Sequence, residues 1–137
     1  MLAKIGAERG IMLSGMTHGL VQADLSRQYL QPADAILITS DLKFMAVLTT
    51  LSLGGNNIGV DGAKAIAEVL KVNAVLTRLD LERNEIGPEG AKAIAEALKV
   101  NAVMKNLSVA YNNIVGEAAQ QLAAAALGSL SLESSTA

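Results

Sequence analysis

The sequence predicts an α/β fold, a solenoid of strand, turn and helix units stacked side by side. Three observations carry that expectation. A 28-residue block recurs without insertion as VLTTLSLGGNNIGVDGAKAIAEVLKVNA (Val47–Ala74), VLTRLDLERNEIGPEGAKAIAEALKVNA (Val75–Ala102) and VMKNLSVAYNNIVGEAAQQLAAAALGSL (Val103–Leu130). A fixed period of this size marks a repeat architecture, which offers an extended surface more readily than a deep pocket. Within a block, a strand-like spacing is followed by a helix-like one. Finally, 51% of the 137 residues are hydrophobic, yet the aromatic residues are only Tyr29, Phe44 and Tyr111. A core of Ala, Leu, Val and Ile suits thin layers repeatedly stacked.

Taken in chain order, residues 1–18 match the frame weakly. Leu2, Gly6 and Ala7 fall on Ile86, Gly90 and Ala91, and the match then decays. A helical half-repeat or N-terminal cap is expected there. The segment from Ile11 to Val21 is interrupted by Gly15, Thr17, His18 and Gly19, which makes it a poor apolar signal segment and far too short for a membrane span. Residues 19–46 form a degenerate copy in frame. Leu20, Asp24, Leu25, Arg27, Leu30 and Pro32 fall on Leu76, Asp80, Leu81, Arg83, Ile86 and Pro88. The sequence thus divides into four blocks, 19–46, 47–74, 75–102 and 103–130, followed by a polar tail at 131–137 whose closing run from Glu133 to Ala137 is expected to fray.

Inside the block 75–102, Leu76, Leu79 and Leu81 form L-x-x-L-x-L, with Leu79 and Leu81 on one side of a strand. After Asn84, Ile86 and Gly87 the pattern turns helical. Gly90, Ile94 and Leu98 share one face, and Pro88 suits a first turn, where its missing N–H is not needed. Lys92, Glu96 and Lys99 lie on the outer face, as do Lys64, Glu68 and Lys71 in the preceding block, at spacings that permit pairing. Asn73 and Asn101 end the helices, where a left-handed residue is tolerated. Asn56, Asn84 and Asn112 recur just after the strand. A buried amide there can satisfy backbone groups of the turn and of the next copy, so an asparagine ladder is expected. The degenerate copy has the longer Gln28 at that position.

The string L-x-x-L-x-L-x-x-N-x-I followed by a Gly-Ala helix resembles a leucine-rich repeat. The repeat length and the segment N-x-I-G-x-x-G-A-K-A-I-A-E-x-L are similar to the ribonuclease-inhibitor-like subclass, which also supplies the sensor arrays of NOD-like receptors. The resemblance covers residues 19–130. It implies a curved right-handed solenoid with parallel strands inside and helices outside, and protein binding through the strand face. Most members carry more repeats and dedicated caps. A fold hosts many activities, so the resemblance is more specific for architecture than for function.

Candidate functional residues follow from comparing the two best-matched blocks. They differ at Thr50/Arg78, Ser52/Asp80, Gly54/Glu82, Gly55/Arg83, Asn57/Glu85, Val60/Pro88, Asp61/Glu89 and Val69/Ala97. The first four pairs lie on the solvent-facing strand and its continuation, while the helix is almost unchanged. Either the strand face is tuned for binding or exposed positions are simply unconstrained. The surface should form columns: Gln22, Thr50, Arg78, Asn106; Asp24, Ser52, Asp80, Ser108; Ser26, Gly54, Glu82, Ala110; and Arg27, Gly55, Arg83, Tyr111. Tyr and Arg are frequent hot-spot residues.

Other chemistry finds little support. Net charge is −2 with no basic cluster, which favours neither nucleic-acid nor membrane partners. Cysteine is absent, removing thiolate chemistry and fitting a reducing, cytoplasmic compartment. His18 reads as a loop or cap residue, Asp24 and Asp80 as solvated carboxylates roughly 10 Å apart. There is no metal-ligand spacing and no cofactor motif. Gly54-Gly55-Asn56 lacks the lysine of a phosphate loop, and the sequon Asn106-Leu107-Ser108 lies on an expected inner strand. The expected protein is therefore a non-enzymatic module that binds a protein partner. The last block has lost its outer Lys/Glu pairs, leaving Met104, Leu107, Val109, Leu122, Leu127 and Leu130 at an uncapped end. An open strand edge invites association, so homodimerisation through this end is the favoured expectation, with a makeshift cap formed by the tail around Leu130 and Leu132, or continuation in a longer array, as the alternatives; a structural role built on this end is the companion reading.

Overall fold

The computed structural model describes residues 19–126 and 131–133. Strands and helices alternate along them: β1 (Gln22–Asp24), α1 (Pro32–Leu42), β2 (Thr50–Ser52), α2 (Gly59–Leu70), β3 (Arg78–Asp80), α3 (Gly87–Leu98), β4 (Asn106–Ser108), α4 (Glu117–Ala125) and β5 (Ser131–Glu133). The strands form one parallel sheet in sequential order. Each helix is the crossover between two parallel strands, and successive helices pack on one another in a second layer. The architecture is an α/β solenoid.

The core lies between the layers. From each strand it takes the middle residue (Ala23, Leu51, Leu79, Leu107), joined by the flanking leucines Leu53, Leu76 and Leu81, and from the helices Ile38, Ile66 and Ile94, all buried. A three-residue strand whose middle side chain is buried turns its two outer side chains to the opposite face. The close spacing of the helices depends on two glycines. A Cβ on Gly90 would lie 2.9 Å from Cβ of Ala63, and one on Gly62 would lie 3.1 Å from Cβ of Ala35. On the outer surface Lys71 pairs with Glu68 at 3.0 Å and Lys99 with Glu96 at 2.9 Å, whereas Lys92 reaches Glu89 rather than Glu96, at 3.9 Å. These exposed pairs are worth at most a few tenths of a kcal/mol each, on the order of 0.3–0.5.

The asparagines form the expected ladder. Asn84 Nδ2 donates to Leu53 O (2.8 Å) in the preceding copy and to Leu81 O (3.1 Å) in its own, while its Oδ1 accepts from Ile58 N at 3.3 Å. Asn112 repeats this, donating to Leu81 O at 2.8 Å and accepting from Asn84 N (2.8 Å) and Ile86 N (3.2 Å). Asn56 donates to Leu25 O and accepts from the backbone N–H groups of Gln28 and Leu30. The Gln28 side chain is exposed and makes no rung of its own.

Two expectations are corrected. Asn73 and Asn101 are not left-handed residues. Their carboxamides instead fold forward. Oδ1 of Asn73 accepts from Val75 N and Leu76 N (2.9 and 2.7 Å), and Oδ1 of Asn101 from Val103 N and Met104 N (3.0 and 2.8 Å). Asn101 Nδ2 also donates to Leu70 O at 2.8 Å. They form a second polar link between copies, at the opposite end of the strands.

The other correction concerns the C-terminal end. Residues 131–133, at the head of the polar tail, supply β5, which pairs with β4 as Asn106↔Ser131, Leu107↔Leu132 and Ser108↔Glu133, so the favoured expectation of an uncapped end gives way to the alternative in which the chain around Leu132 folds back. Earlier strand partners are 28 residues apart, as in Arg78↔Asn106, but here the step is three residues shorter. The cause is the last helix, 9 residues against 12 in α3, which places Leu132 beside Leu107 rather than in frame with Met104. β4 is therefore not the final edge. Met104, Leu107, Val109 and Leu122 are buried and do not present an uncapped apolar end. Leu127 and Leu130 lie outside the described residues, as do His18 and the expected half-repeat or cap at 1–18.

Replacing Asn84 with Ala would orphan the Ile58 N–H in the interior and remove one of the two amide donors to Leu53 O, which keeps Asn56 Nδ2. Equilibrium urea unfolding is expected to show a loss of about 1–3 kcal/mol, the cost of a buried group left unsatisfied, whereas Asn57→Ala on the exposed neighbour should stay within roughly 0.5 kcal/mol. Gly90→Ala is expected to destabilise by about 1–3 kcal/mol through overpacking against Ile86 Cγ2, 2.5 Å from the place of the new Cβ, and against Ala63 Cβ on the neighbouring helix, at 2.9 Å, although Ala is the better helix former by ~1 kcal/mol. Stabilisation by Gly90→Ala would show that the helices are not in close contact at this point.

Candidate functional site

The solvent face of the sheet is built from the outer residues of each three-residue strand. The parallel register aligns Gln22, Thr50, Arg78 and Asn106 in one column and Asp24, Ser52, Asp80 and Ser108 in the next. Gln22, Asp24 and Arg78 are exposed, and Thr50, Ser52, Asp80, Asn106 and Ser108 are half-buried by their neighbours across the sheet. β5 extends the face by one more strand.

Beyond the strands the chain turns, and the aspartates have a local task in the turn. Asp24 Oδ1 accepts from Ser26 N at 3.0 Å and from Ser26 Oγ at 2.6 Å. Asp80 Oδ1 accepts from Glu82 N at 2.9 Å. These side chains stand in for a backbone acceptor in an Asx turn. The Ser26 hydroxyl and N–H, with a smaller contribution from Arg27, hold the Asp24 carboxyl below the usual range. Neither aspartate faces the other as a catalytic pair would.

The turn then passes through a left-handed residue in every copy: Arg27 (φ 56°), Gly55 (φ 70°), Arg83 (φ 54°) and Tyr111 (φ 58°). Glycine adopts this conformation freely, whereas another L-residue is disfavoured by about 1–2 kcal/mol. The ladder imposes it, because these backbone N–H groups reach the next copy: Arg27 N donates to Gly54 O, Gly55 N to Glu82 O and Arg83 N to Ala110 O, at 2.8–3.0 Å. The left-handed bend fixes the path of the chain that carries three large side chains along one rim. Arg83 Nη1 lies 3.0 Å from Glu82 Oε1, and its guanidinium carbon sits 4.5 Å from the centre of the Tyr111 ring. Glu82, Arg83 and Tyr111 are thus one assembly across two copies. Arg83 and Tyr111 occupy adjacent places in one column of the sequence, and that adjacency is the signal from which the stacking could have been read. Arg27 takes no part in it; its Cγ lies over Gly55, 2.9 Å from where a Cβ would stand.

Among the described residues no group of three or more His, Cys, Asp and Glu is arranged to hold a metal ion, and no helix is long and apolar enough to cross a membrane. The surface offers hydrogen-bonding and charged groups on a parallel sheet, with two shallow hollows. One lies between β3 and β4 and the other over Gly54 and Gly55.

The leucine-rich repeat family model matches residues 45–67 and 72–95, spanning β2–α2 and β3–α3. Over these two segments the chain is similar to leucine-rich repeats. Leucine-rich repeats generally serve as protein-interaction modules, and four of the eight positions at which the two matched blocks differ, Thr50/Arg78, Ser52/Asp80, Gly54/Glu82 and Gly55/Arg83, lie on the strand face and its continuation. No curated protein matches the chain.

A carbon-detected NMR titration should give Asp24 a midpoint below the ordinary ~3.9. Its folded pKa is lowered, so its contribution to stability is present above the unfolded value and is lost as pH falls through the folded one. Ser26→Ala should move the midpoint upward. A midpoint that does not respond to Ser26→Ala would contradict the turn geometry.

Proposed function

We propose that this protein is a non-enzymatic interaction module that binds a protein partner through the strand face, using Gln22, Asp24, Arg27, Thr50, Ser52, Arg78, Asp80, Glu82, Arg83, Asn106, Ser108 and Tyr111. The observation that carries the reading is the Glu82–Arg83–Tyr111 rim. It places a guanidinium and an aromatic ring on backbone that the ladder holds rigid, so little side-chain freedom is lost when a partner arrives. Arg and Tyr supply large contact areas of this kind at interface centres.

Five strands at about 4.8 Å spacing give a face only ~20 Å across. A face of that width matches a loop or short segment of the partner. The alternative of self-association through the C-terminal end draws on Met104, Leu107 and Val109, which lie in the core beside a strand that β5 pairs. The strand face is therefore the reading carried forward.

The triple variant Arg78→Ala, Arg83→Ala, Tyr111→Ala should keep the wild-type circular dichroism spectrum and lose proteins captured from source lysate by the immobilised chain. A control with Lys64 and Lys92 replaced on the helical face should retain them. Capture that survives the triple variant and fails in the control would move the interface to the helices and refute the reading.

A further inference from the structure

We propose that the hollow between β3 and β4 receives the carboxylate of an Asp or Glu side chain on an extended segment of the protein partner; this deepens the proposed function and rests on it. The hollow is floored by the strand backbone at Leu79 and Leu107, and edged by Arg78, Asn106 and Ser108 together with the acids Asp80 and Glu82. Arg78 is exposed, and its guanidinium has no ion pair or hydrogen bond among the described residues; the Asn106 carboxamide likewise has none. Ser108 Oγ is buried and, among the described residues, is the buried side-chain oxygen or nitrogen left without a partner. A buried hydroxyl without a partner is unfavourable. The hydroxyl and the carboxamide can each donate or accept, whereas the guanidinium only donates, so it is Arg78 that makes the missing group an acceptor, and an anion.

The chain's own acids do not fill this role. Asp80 turns away from Ser108. Its Oδ1 takes the Glu82 N–H, and its carboxylate lies against Gly54, with Oδ2 3.3 Å from the place of a Cβ. Glycine at 54 makes room for that orientation where the other copies have Ser26, Glu82 and Ala110. Glu82 is held by Arg83 at 3.0 Å. Arg78 is the one charged residue of its column, beside Gln22, Thr50 and Asn106. Arg78 and Asn106 sit directly across the strand pair and Arg78 and Ser108 diagonally, within reach of one group. A carboxylate accepts the guanidinium fork with both oxygens and has lone pairs left for the Ser108 hydroxyl or the Asn106 N–H. Asp80, directly across from Ser108, and Glu82 line the same hollow and disfavour a second negative charge, so the hollow selects a single carboxylate, held at the Arg78 and Asn106 end, over a run of acids.

Selection of a random extended-peptide library on the immobilised full chain tests this. Enriched peptides should share Asp or Glu at one position, and Arg78→Gln, with an unchanged circular dichroism spectrum, should weaken them about tenfold or more, as loss of one charge-assisted pair implies. Selection on Arg78→Glu should enrich Lys or Arg at that position instead. Peptides without a shared acidic position, or ones that bind Arg78→Gln equally well, overturn the carboxylate receptor. If those peptides are nonetheless lost on Tyr111→Ala and Arg83→Ala, the strand face stands as the binding surface and only the receptor falls. Absence of enrichment, or binding indifferent to all these variants, removes both.

Discussion

The carboxamides of Asn56, Asn84 and Asn112 hold the turn that everything else requires. A leucine-rich copy leaves its strand after three residues and must reverse into a helix within a few more. That reversal exposes backbone N–H and C=O groups to an apolar interior, where each unpaired group is costly. One asparagine can both donate and accept, so it serves a carbonyl of its own copy, a carbonyl of the copy before and an N–H of the copy before. The same rung that closes a turn therefore also fixes the spacing between copies. Asn73 and Asn101 act similarly where helix returns to strand. Stacking in this chain is directed by asparagine amides at both ends of the strands, buried at the turn and half-buried where helix returns to strand, with the leucine core supplying the driving force between them.

The functional face inherits its form from that constraint. Because the turn is fixed, the residue that follows it must be left-handed, and the chain accepts this conformation in Arg27, Arg83 and Tyr111 as well as in Gly55. Strain of this kind persists where the surroundings over-determine the backbone, and it concentrates at functional positions. Here it places a guanidinium against an aromatic ring at the rim of the sheet. The glycines at 54 and 55 have a complementary effect. They let Asp80 lean one way and Arg27 lie flat, and the donors around Ser108 are left open.

Much of this architecture was legible in the residues themselves. The strand register, the burial of Leu79 and Ile94 and the role of Asn84 all follow from local spacing repeated in frame, because each copy meets the same neighbours. What the spacing did not carry was the end of the repeat. A helix three residues shorter brings Leu132 level with Leu107, and no periodic argument anticipates a break in the period. The roles of Asn73 and Asn101 were missed for a different reason: an asparagine after a helix is compatible with a left-handed cap and with an Asx turn, and only the strand that follows decides. At the candidate site the columns were readable, whereas the lean of Asp80 toward Gly54 and the isolation of Ser108 Oγ depend on side-chain orientation across copies.

Native-state hydrogen exchange at the backbone amides of Gln28, Leu30, Asn84 and Ile86 tests the central role of the asparagine ladder most directly. These turn amides donate to asparagine Oδ1 atoms at 2.8–3.2 Å. If the ladder holds the turns, they exchange only through global unfolding, with the protection of the strand amides of Leu51 and Leu79. Exchange at the rates of open loops, with the strands still protected, would show that the turns open independently of the stack and would contradict the account.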